Sequence, residues 1–340
     1  MEKDDYLTKP NSNAEIYRNM TVGERASVLD KHLQFIAVYN DKKAILGGSN
    51  LTDRYWTGTI WYFDDAADGE LERNKSFTAT QTESTLSDAA FIEEYKFVVA
   101  EDGGIVKVLC VVQPPETWAV ALQCVGYTCK HDDSVTSLSV FEDKNYFVSG
   151  GMDRCLKVWE TSTLMVEYTY QLAHTAIITS VDVLSKSNSV FMSTSLDSEA
   201  VLWDVRTPKP ARRLYKNDDG NGLTAVACNP LKEHEVAIGG EDGYVFLGDT
   251  RKPEELVYKS LEFPRAIHRL KYHHKRNNWL AGCCNDTMVK VLDTSQELSV
   301  LFKDANSHTD MVRGLAWCKD ELLTCSWDST VQRHSLTLDN

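Results

Sequence analysis

The sequence predicts an all-β fold, a closed ring of seven blades that forms a β-propeller. The first observation behind this prediction is a pattern that returns along almost the whole chain at an interval of roughly 40–45 residues. The second is the spacing inside each copy, where an aspartate such as Asp197 precedes a hydrophobic and an acidic residue, here Trp203 and Asp204. The third is the near absence of amphipathic helical stretches. Short aliphatic runs bounded by glycine, aspartate and asparagine are instead typical of strands.

The copies of this pattern close at residues 64, 109, 160, 204, 249, 293 and 335. Seven closings predict seven blades, and a period of this length with a Trp-Asp ending is typical of WD repeats. The middle copies are the most regular, with Asp153 before Trp159 as one example. The first copy has Thr57 in place of the aspartate, and the fifth closes on Gly248 rather than on an aromatic residue.

A propeller grows by adding blades to a ring, so a chain of 340 residues needs no second compact core. We therefore expect an N-terminal segment over residues 1–30 and a single seven-bladed propeller over residues 31–340. The last repeat supplies a strand over 330–335 and leaves only five residues after it. Its blade then lacks an outermost strand. We expect part of the stretch from Asn13 to Leu29 to pair there, close the ring and remove the open sheet edges.

The chain is acidic, with a formal net charge of −14 and a pI near 5.1. Nucleic-acid-binding proteins usually present a basic surface, so this balance argues against a nucleic-acid partner. It favours basic partners, such as arginine-rich tails, through long-range attraction that salt weakens. Many soluble proteins are acidic for solubility alone, and charge by itself leaves that explanation open.

The nine cysteines are scattered among strand residues, and no C-x-x-C pair occurs. This favours reduced thiols in the core over disulfides or a zinc site, and it predicts a cytoplasmic and nuclear protein. The N-terminus is charged and lacks the apolar stretch of a signal peptide. Since no run approaches the ~20 apolar residues that span a bilayer, we expect no membrane partner. We expect no cofactor and no metal, because the spacing of His268, His273 and His274 matches no metal site.

Three sets of residues resemble the nucleophilic triad of hydrolases. They are His131–Ser149–Asp153, His174–Ser193–Asp197 and His308–Thr324–Asp328. An enzyme needs one such site, whereas three copies in register indicate architecture. We interpret each set as a buried hydrogen-bond network, which includes the closing Trp159 or Trp203 in two blades and has His334 at that position in the third. Two irregular blades have Asp219 and Phe263 at the histidine position, and we expect packing alone to hold them.

Five stretches spread from the first blade to the last narrow the identification. They are residues 44–49, 51–61, 131–135, 201–211 and 322–328. In these stretches the chain resembles the family of methylosome WD-repeat proteins, the partner subunits of the symmetric protein arginine methyltransferase. The WD signature alone identifies only the fold. The first-blade loop and the Pro-Lys-Pro turn at 208–210 are the more specific signals.

The resemblance implies that the propeller is an adaptor and not an enzyme. Members of the family form a hetero-oligomer with the methyltransferase, dock onto its N-terminal barrel domain, and help present arginine-rich substrates such as histone tails and spliceosomal core proteins. A loop with the motif Arg-x-Trp reaches into the partner, and here the matching loop interrupts the first blade. Its expected partner-binding residues are Leu51, Asp53, Arg54, Tyr55 and Trp56. Tryptophan and arginine are enriched at interface hot spots, but packing of the loop tryptophan back beside Trp61 stays open.

A second adaptor role also fits the sequence. Trp203-Asp204-Val205-Arg206 matches the Trp-Asp-x-Arg pattern of WD-repeat substrate receptors for a cullin-based ubiquitin ligase. The pattern is short, and arginine is common at this position in blades. A propeller hydrolase is a third class, but it needs acid pairs or metal ligands that converge on the central channel.

Overall fold

The structure, a computed structural model, describes residues 31–50, 56–67, 69, 71–113, 119–207, 212–253 and 255–336. These residues form 27 strands in seven antiparallel sheets, which are the blades of a β-propeller. Within these ranges the helical content is one 3-10 turn, Arg73–Lys75, so no helix there is long and apolar enough to cross a bilayer. The predicted all-β, seven-bladed WD-repeat propeller is confirmed.

Each blade is a meander that starts at the central channel and runs outward, so that consecutive strands pair. The first two blades are β1 His32–Tyr39, β2 Lys43–Ser49, β3 Gly58–Phe63, β4 Thr78–Thr82, then β5 Leu86–Glu93, β6 Lys96–Glu101, β7 Ile105–Val112, β8 Ala121–Cys129. The third and fourth are β9 Val135–Val140, β10 Tyr146–Gly151, β11 Leu156–Glu160, β12 Val166–Tyr170, then β13 Ile178–Val183, β14 Val190–Ser195, β15 Glu199–Asp204, β16 Arg212–Lys216. The fifth and sixth are β17 Leu223–Cys228, β18 Glu235–Gly240, β19 Tyr244–Asp249, β20 Leu256–Leu261, then β21 Ile267–Tyr272, β22 Trp279–Cys284, β23 Val289–Asp293, β24 Ser299–Asp304. The last is β25 Val312–Cys318, β26 Glu321–Ser326, β27 Val331–Ser335.

The place of a strand within its blade follows from its hydrophobic pattern. The second strands are buried on both faces, as in β14, because neighbouring blades cover them. An outermost strand is largely exposed, and β12 buries only Tyr170. Cross-strand pairs add packing between these positions: Trp203 lies opposite Phe191 in register, and its ring stacks on the phenyl ring at 6.2 Å. Such aromatic pairs stabilise a sheet beyond their buried area.

Apolar clusters fill the spaces between neighbouring blades. Phe141 of the third blade packs in one cluster with Trp203 of the fourth. Leu33 of the first blade shares another cluster with Leu323 of the last. Each fully buried large side chain contributes about 1.5–3 kcal/mol, so every blade is stabilised chiefly by the two beside it.

The first and last blades meet directly and close the ring. Arg333 on β27 donates to the main-chain carbonyl of Ala66 at 2.8 Å, and the Ser329 hydroxyl donates to the carbonyl of Lys31 at 2.9 Å. In the described residues the last blade has three strands. The strand expected to complete it falls on the N-terminal segment, residues 1–30, which lies outside the described residues.

All nine cysteines carry free thiols. The buried ones are Cys228, Cys283, Cys284, Cys318 and Cys325. Burial raises the pKa of Cys283 and of Cys284 to about 12, which makes both thiols poor nucleophiles. Cys124 and Cys129 are exposed on β8, so the expectation of a core position is wrong for these two.

Candidate functional site

The loops of the ring lie on two opposite faces. We define the upper face by the loops that join the second strand of a blade to its third and by the loops that lead into the next blade. The lower face has the turns between first and second strands and the connections from third to fourth strands. Equivalent loops lie on the same face because every blade repeats one meander. The three predicted networks and the first-blade loop are therefore all on the upper face.

Each His–Ser/Thr–Asp set is brought together at the upper end of its blade. In the third blade, His131 Nδ1 lies 2.8 Å from Asp153 Oδ2, and His131 Nε2 lies 2.7 Å from Ser149 Oγ. The Trp159 indole donates to the same serine oxygen at 2.8 Å. The fourth blade repeats this geometry with His174 Nδ1 to Asp197 Oδ2 at 3.0 Å, His174 Nε2 to Ser193 Oγ at 2.7 Å and Trp203 Nε1 to Ser193 Oγ at 2.8 Å.

The chemistry of these sets is that of a fixed network. An ionised Asp153 only accepts hydrogen bonds, so His131 Nδ1 is the donor to it, and His131 Nε2 is left to bond the Ser149 hydroxyl. Ser149 and Ser193 are 0% exposed, and each oxygen also receives an indole N–H. A buried and fully hydrogen-bonded oxygen is not placed to attack a substrate. The arrangement instead satisfies several buried polar groups at once.

The aspartates at the ends of the networks stay ionised. Burial alone would raise the pKa of Asp197, but hydrogen bonds from His174 and from main-chain amides, including that of Thr175, outweigh it and hold the pKa at about 2. The same balance holds the pKa of Asp328 at about 2 and lowers the pKa of Asp153. Each carboxylate also accepts the amide two residues later in its tight turn. The networks therefore fix the turns of the upper face.

The last blade completes its network with a second histidine. His308 Nδ1 lies 3.0 Å from Asp328 Oδ2, and His308 Nε2 lies 2.7 Å from Thr324 Oγ1. On the other side of the threonine, His334 Nε2 lies 2.9 Å from Thr324 Oγ1. His334 thus occupies the place of the tryptophan and makes the equivalent bond.

The two irregular blades each keep a polar contact at the turn aspartate. In the fifth blade the Asn221 side-chain amide donates to the Asp242 carboxylate at 3.1 Å. In the sixth blade Phe263 is 1% exposed and belongs to an apolar cluster, and Arg265 Nε lies 3.5 Å from Asp286 Oδ2. The prediction that packing alone holds these blades is therefore wrong. The signal missed in the sequence was a hydrogen-bond donor two residues after Asp219 and two residues after Phe263.

The first-blade loop presents an exposed tryptophan. Trp56 is 58% exposed, and at the base of the loop the Asn50 amide donates to the Thr57 carbonyl at 2.8 Å. Trp61 is only 6% exposed and packs in the core of the blade, so Trp56 is not buried beside it. The other predicted partner-binding residues, Leu51, Asp53, Arg54 and Tyr55, lie outside the described residues.

The two faces differ in charge. In the described upper-face loops the acidic residues are Glu83, Asp102, Asp132, Asp133, Asp153, Asp197, Asp218, Asp219, Glu241, Asp242, Glu262, Asp286, Asp310 and Asp328, and the basic ones are Lys31, Lys130, Arg154 and Arg265. In the described lower-face loops the acidic residues are Asp41, Asp64, Asp65, Glu72, Glu94, Glu142, Asp143, Glu233, Glu255, Glu297 and Asp320, and the basic ones are Lys42, Arg73, Lys75, Lys144, Lys186, Arg206, Lys232, Arg251, Lys252, Lys275, Arg276 and Lys319. The lower face is nearly balanced. The negative charge of the loops is concentrated on the face with Trp56.

The three histidines between 268 and 274 do not come together. His268 lines the central channel, whereas His273 and His274 stack on each other at 4.9 Å on the lower face. His273 also packs on Trp317, and burial lowers its pKa to about 4. Across the described ranges, no group of three or more His, Cys, Asp or Glu side chains is arranged to hold a metal ion.

Comparison with known proteins extends the fold assignment. Residues 122–160 and 166–204 match the family model described as WD domain, G-beta repeat. The chain is 32% identical over 299 residues to Methylosome protein WDR77 of Xenopus laevis, an alignment that covers 87% of each protein. It is 30% identical over 142 residues to Protein valois of Drosophila melanogaster, which is 39% of each protein. It is also 24% identical over 219 residues to Histone acetyltransferase type B subunit 2 of Debaryomyces hansenii, 57% of this chain and 52% of that one.

The two family-model matches contain the two complete His–Ser–Asp–Trp networks, and each match begins on the outermost strand of the preceding blade. The first of the three similarities covers 87% of both proteins at 32% identity, more than a shared fold alone explains. Both findings agree with the resemblance seen in the sequence. The chain belongs to the family of methylosome WD-repeat proteins.

Proposed function

We propose that this chain is a non-catalytic adaptor subunit of a methylosome. It binds a symmetric protein arginine methyltransferase and helps present arginine-rich substrates to it. The observation that carries the proposal is the similarity to Methylosome protein WDR77 along 87% of both proteins. The buried, fully bonded serines of the triad look-alikes support the non-catalytic part, and localisation to cytoplasm and nucleus goes with this role.

Contact with the methyltransferase is assigned to the first-blade loop. A tryptophan that is 58% exposed leaves a large apolar surface in water, and burying it in a partner is favourable by about 25 cal/mol per Å². Tryptophan is also among the residues most enriched at interface hot spots. The matching family motif, Arg54-Tyr55-Trp56, and the exposure of Trp56 support the same assignment. We propose that the loop inserts into the N-terminal barrel domain of the methyltransferase.

Substrate presentation is assigned to the acidic upper face. Arginine-rich tails carry several positive charges, and a surface with a large excess of carboxylates attracts them over distances near the Debye length, about 8 Å at physiological salt. Exposed examples in the third blade are Asp132 and Asp133. The balanced lower face offers no such attraction. Charge complementarity therefore supports binding of basic substrates on the same face as Trp56.

The ligase-receptor alternative is weakened by a repeated geometry. Asp204 accepts hydrogen bonds from the main-chain N, Nε and Nη2 of Arg206. Asp249 accepts the same set from Arg251 in the next blade. Because the same aspartate–arginine hydrogen bonds occur in two consecutive blades, they are most simply explained as a cap on the turn in each blade. A ligase linker bound by the purified chain would favour this alternative.

A pull-down with the cognate methyltransferase tests the proposal. We expect Trp56→Ala to weaken binding by about 2 kcal/mol or more, as at a hot spot. The matched control is Leu231→Ala, which removes another exposed apolar side chain, 44% exposed, from the lower face. Equal binding by both variants would exclude the first-blade loop as the contact. Absence of any binding by the wild-type chain would overturn the adaptor role itself.

A further inference from the structure

The central channel holds two arginines on neighbouring blades. The channel has a cavity volume of about 940 Å³, and its lining includes Arg269 on β21 and Arg313 on β25. Arg313 Nη1 donates to Asn285 Oδ1 at 3.1 Å, and Asn285 belongs to an upper-face loop. The pair therefore lies toward the upper mouth of the channel.

Only one of these arginines has a carboxylate partner among the described residues. Arg269 Nη2 lies 2.9 Å from Asp88 Oδ1, on the inner strand of the second blade. Asp88 also accepts hydrogen bonds from the Ser137 hydroxyl and the Leu138 amide. This carboxylate is fully engaged and neutralises a single guanidinium. It leaves the charge of the second arginine unbalanced.

Arg313 lies between neutral groups. Its guanidinium is 5.0 Å from the centre of the Trp327 ring, and its hydrogen-bond partner is an amide oxygen. The Nε atoms of both arginines are buried without an acceptor in the described structure. Burial, with a contribution from the charge of Arg269, lowers the pKa of Arg313 to about 10. Burial and the two guanidinium groups also hold the pKa of the adjacent His268 well below its usual range.

Arg313 and Arg269 are partly buried, and a partly desolvated cation without a counter-charge is stabilised by an anion that pairs with it. Guanidinium groups suit oxyanions because parallel N–H groups bind two oxygens at once. We propose that Arg313 and Arg269 form a binding site for a compact oxyanion, of the phosphate, sulfate or carboxylate class, at the upper mouth of the channel. The acidic loops around the mouth repel large polyanions, which would contact them. The site therefore suits small anions that fit within the channel. The site is independent of the adaptor function.

Thermal melting and calorimetry of the full chain test the site. The probes are inorganic phosphate and acetate, each compared with chloride at a constant ionic strength of about 0.15 M. We expect phosphate to raise the melting temperature and to bind with measurable heat. Arg313→Gln is expected to weaken that binding about tenfold or more, since a hydrogen bond to a charged group is lost. Arg265→Gln, on the upper face outside the channel, serves as control and keeps wild-type phosphate binding.

Substitution of Arg313 allows an effect on anion binding to be distinguished from an effect on folding. In chloride, Arg313→Gln is expected to melt no lower than wild type, because it removes a partly buried charge that has no counter-charge. If that variant fails to fold, Arg313→Lys keeps the charge, loses the two-pronged geometry and should still weaken phosphate binding. Equal effects of acetate and phosphate would show that the site takes both classes of oxyanion. Acetate acting alone would assign it to carboxylates, and phosphate acting alone would assign it to tetrahedral anions. The proposal is overturned if neither ion differs from chloride, or if both variants bind phosphate as wild type does.

Discussion

The carboxylate of Asp41, in the turn after the first strand, accepts a 2.5 Å hydrogen bond from the ammonium group of Lys275 in the sixth blade. The last blade lies between these two, and the Lys319 amide of that blade donates to the same carboxylate at 2.6 Å. One side chain on the lower face thus ties three blades together at the point where the ring closes. Closure of the ring does not rest on strand pairing alone.

Asp41→Asn is expected to destabilise the propeller by about 1 kcal/mol, because the ion pair with Lys275 is lost while the remaining side-chain oxygen still accepts the Lys319 amide, and solvent screens a partly exposed pair. Glu142→Gln, in the equivalent turn of the third blade, is the control and should change little. Urea unfolding at neutral pH measures both. Equal stability of the two variants would show that the contact of Asp41 with the two neighbouring blades does not help to close the ring.

Acid should destabilise the fold because several carboxylates have a lowered pKa in the folded chain. The pKa of Asp41, Asp197 and Asp328 is about 2 in the folded chain, against 3.8 for a free side chain. A depressed folded pKa gives stability that is present above the unfolded value and lost as the pH falls toward the folded value. The contribution of these three carboxylates should therefore be steady above about pH 5 and fall between about pH 4 and 2. The folded-state pKa of His273, about 4 against 6.5 for a free side chain, adds a loss of stability that begins below about pH 6.5. Asp197→Asn should make the unfolding free energy fall less steeply between about pH 4 and 2. An unchanged pH dependence would contradict the contribution of Asp197 to acid sensitivity.

Asp197→Ala should destabilise the domain by a few kcal/mol, because it breaks a buried network and leaves His174 without its acceptor. The matched control is Asp242→Ala at the same position of the fifth blade, where the carboxylate bonds an asparagine and no histidine. The control should lose less stability. Denaturant melts of both variants measure the difference, and a larger loss in Asp242→Ala would show that the networks are not what fixes the blades.

Charge reversal on opposite faces of one blade should separate the two surfaces. Asp132→Lys with Asp133→Lys alters the upper face, and Glu142→Lys with Asp143→Lys makes the same change of net charge on the lower face. We expect only the upper-face variant to bind an arginine-rich peptide more weakly, by about threefold or more, with a smaller salt dependence. Fluorescence anisotropy measures the affinity. Equal losses would mean that net charge, and not the upper face, attracts the peptide.

We expect deletion of residues 1–30 to lower the melting temperature of the whole propeller, because the closing strand predicted for the last blade falls in this segment and its removal would leave a sheet edge open. Calorimetry of the shortened chain measures the effect. An unchanged melt would mean that contacts such as Asp41 with Lys275 and Arg333 with Ala66 suffice to close the ring.

Much of the site was predictable where it depends on local spacing. The His–Ser–Asp–Trp networks recur at fixed offsets within a blade, so His131, Ser149 and Asp153 were identified from their positions alone. The contact of Asn221 with Asp242 was missed because the donor is an asparagine and not a histidine, and because it lies two residues after the usual histidine position. The exposure of Trp56 was open in the sequence, because the sequence does not show whether a loop tryptophan is buried by its own blade or left exposed for a partner.

The sequence by itself determined the number of blades, the order of strands and the networks of the upper face, because each depends on hairpins and turns within about 45 residues. Only the tertiary structure decided which distant residues meet. Asp41 and Lys275 are 234 residues apart, and Arg269 faces Asp88 across the channel from another blade. Neither pair has a periodic signal, because the curvature of the closed ring brings them together. The same curvature gathers the acidic loops of successive blades onto one face and sets two arginines side by side in the channel.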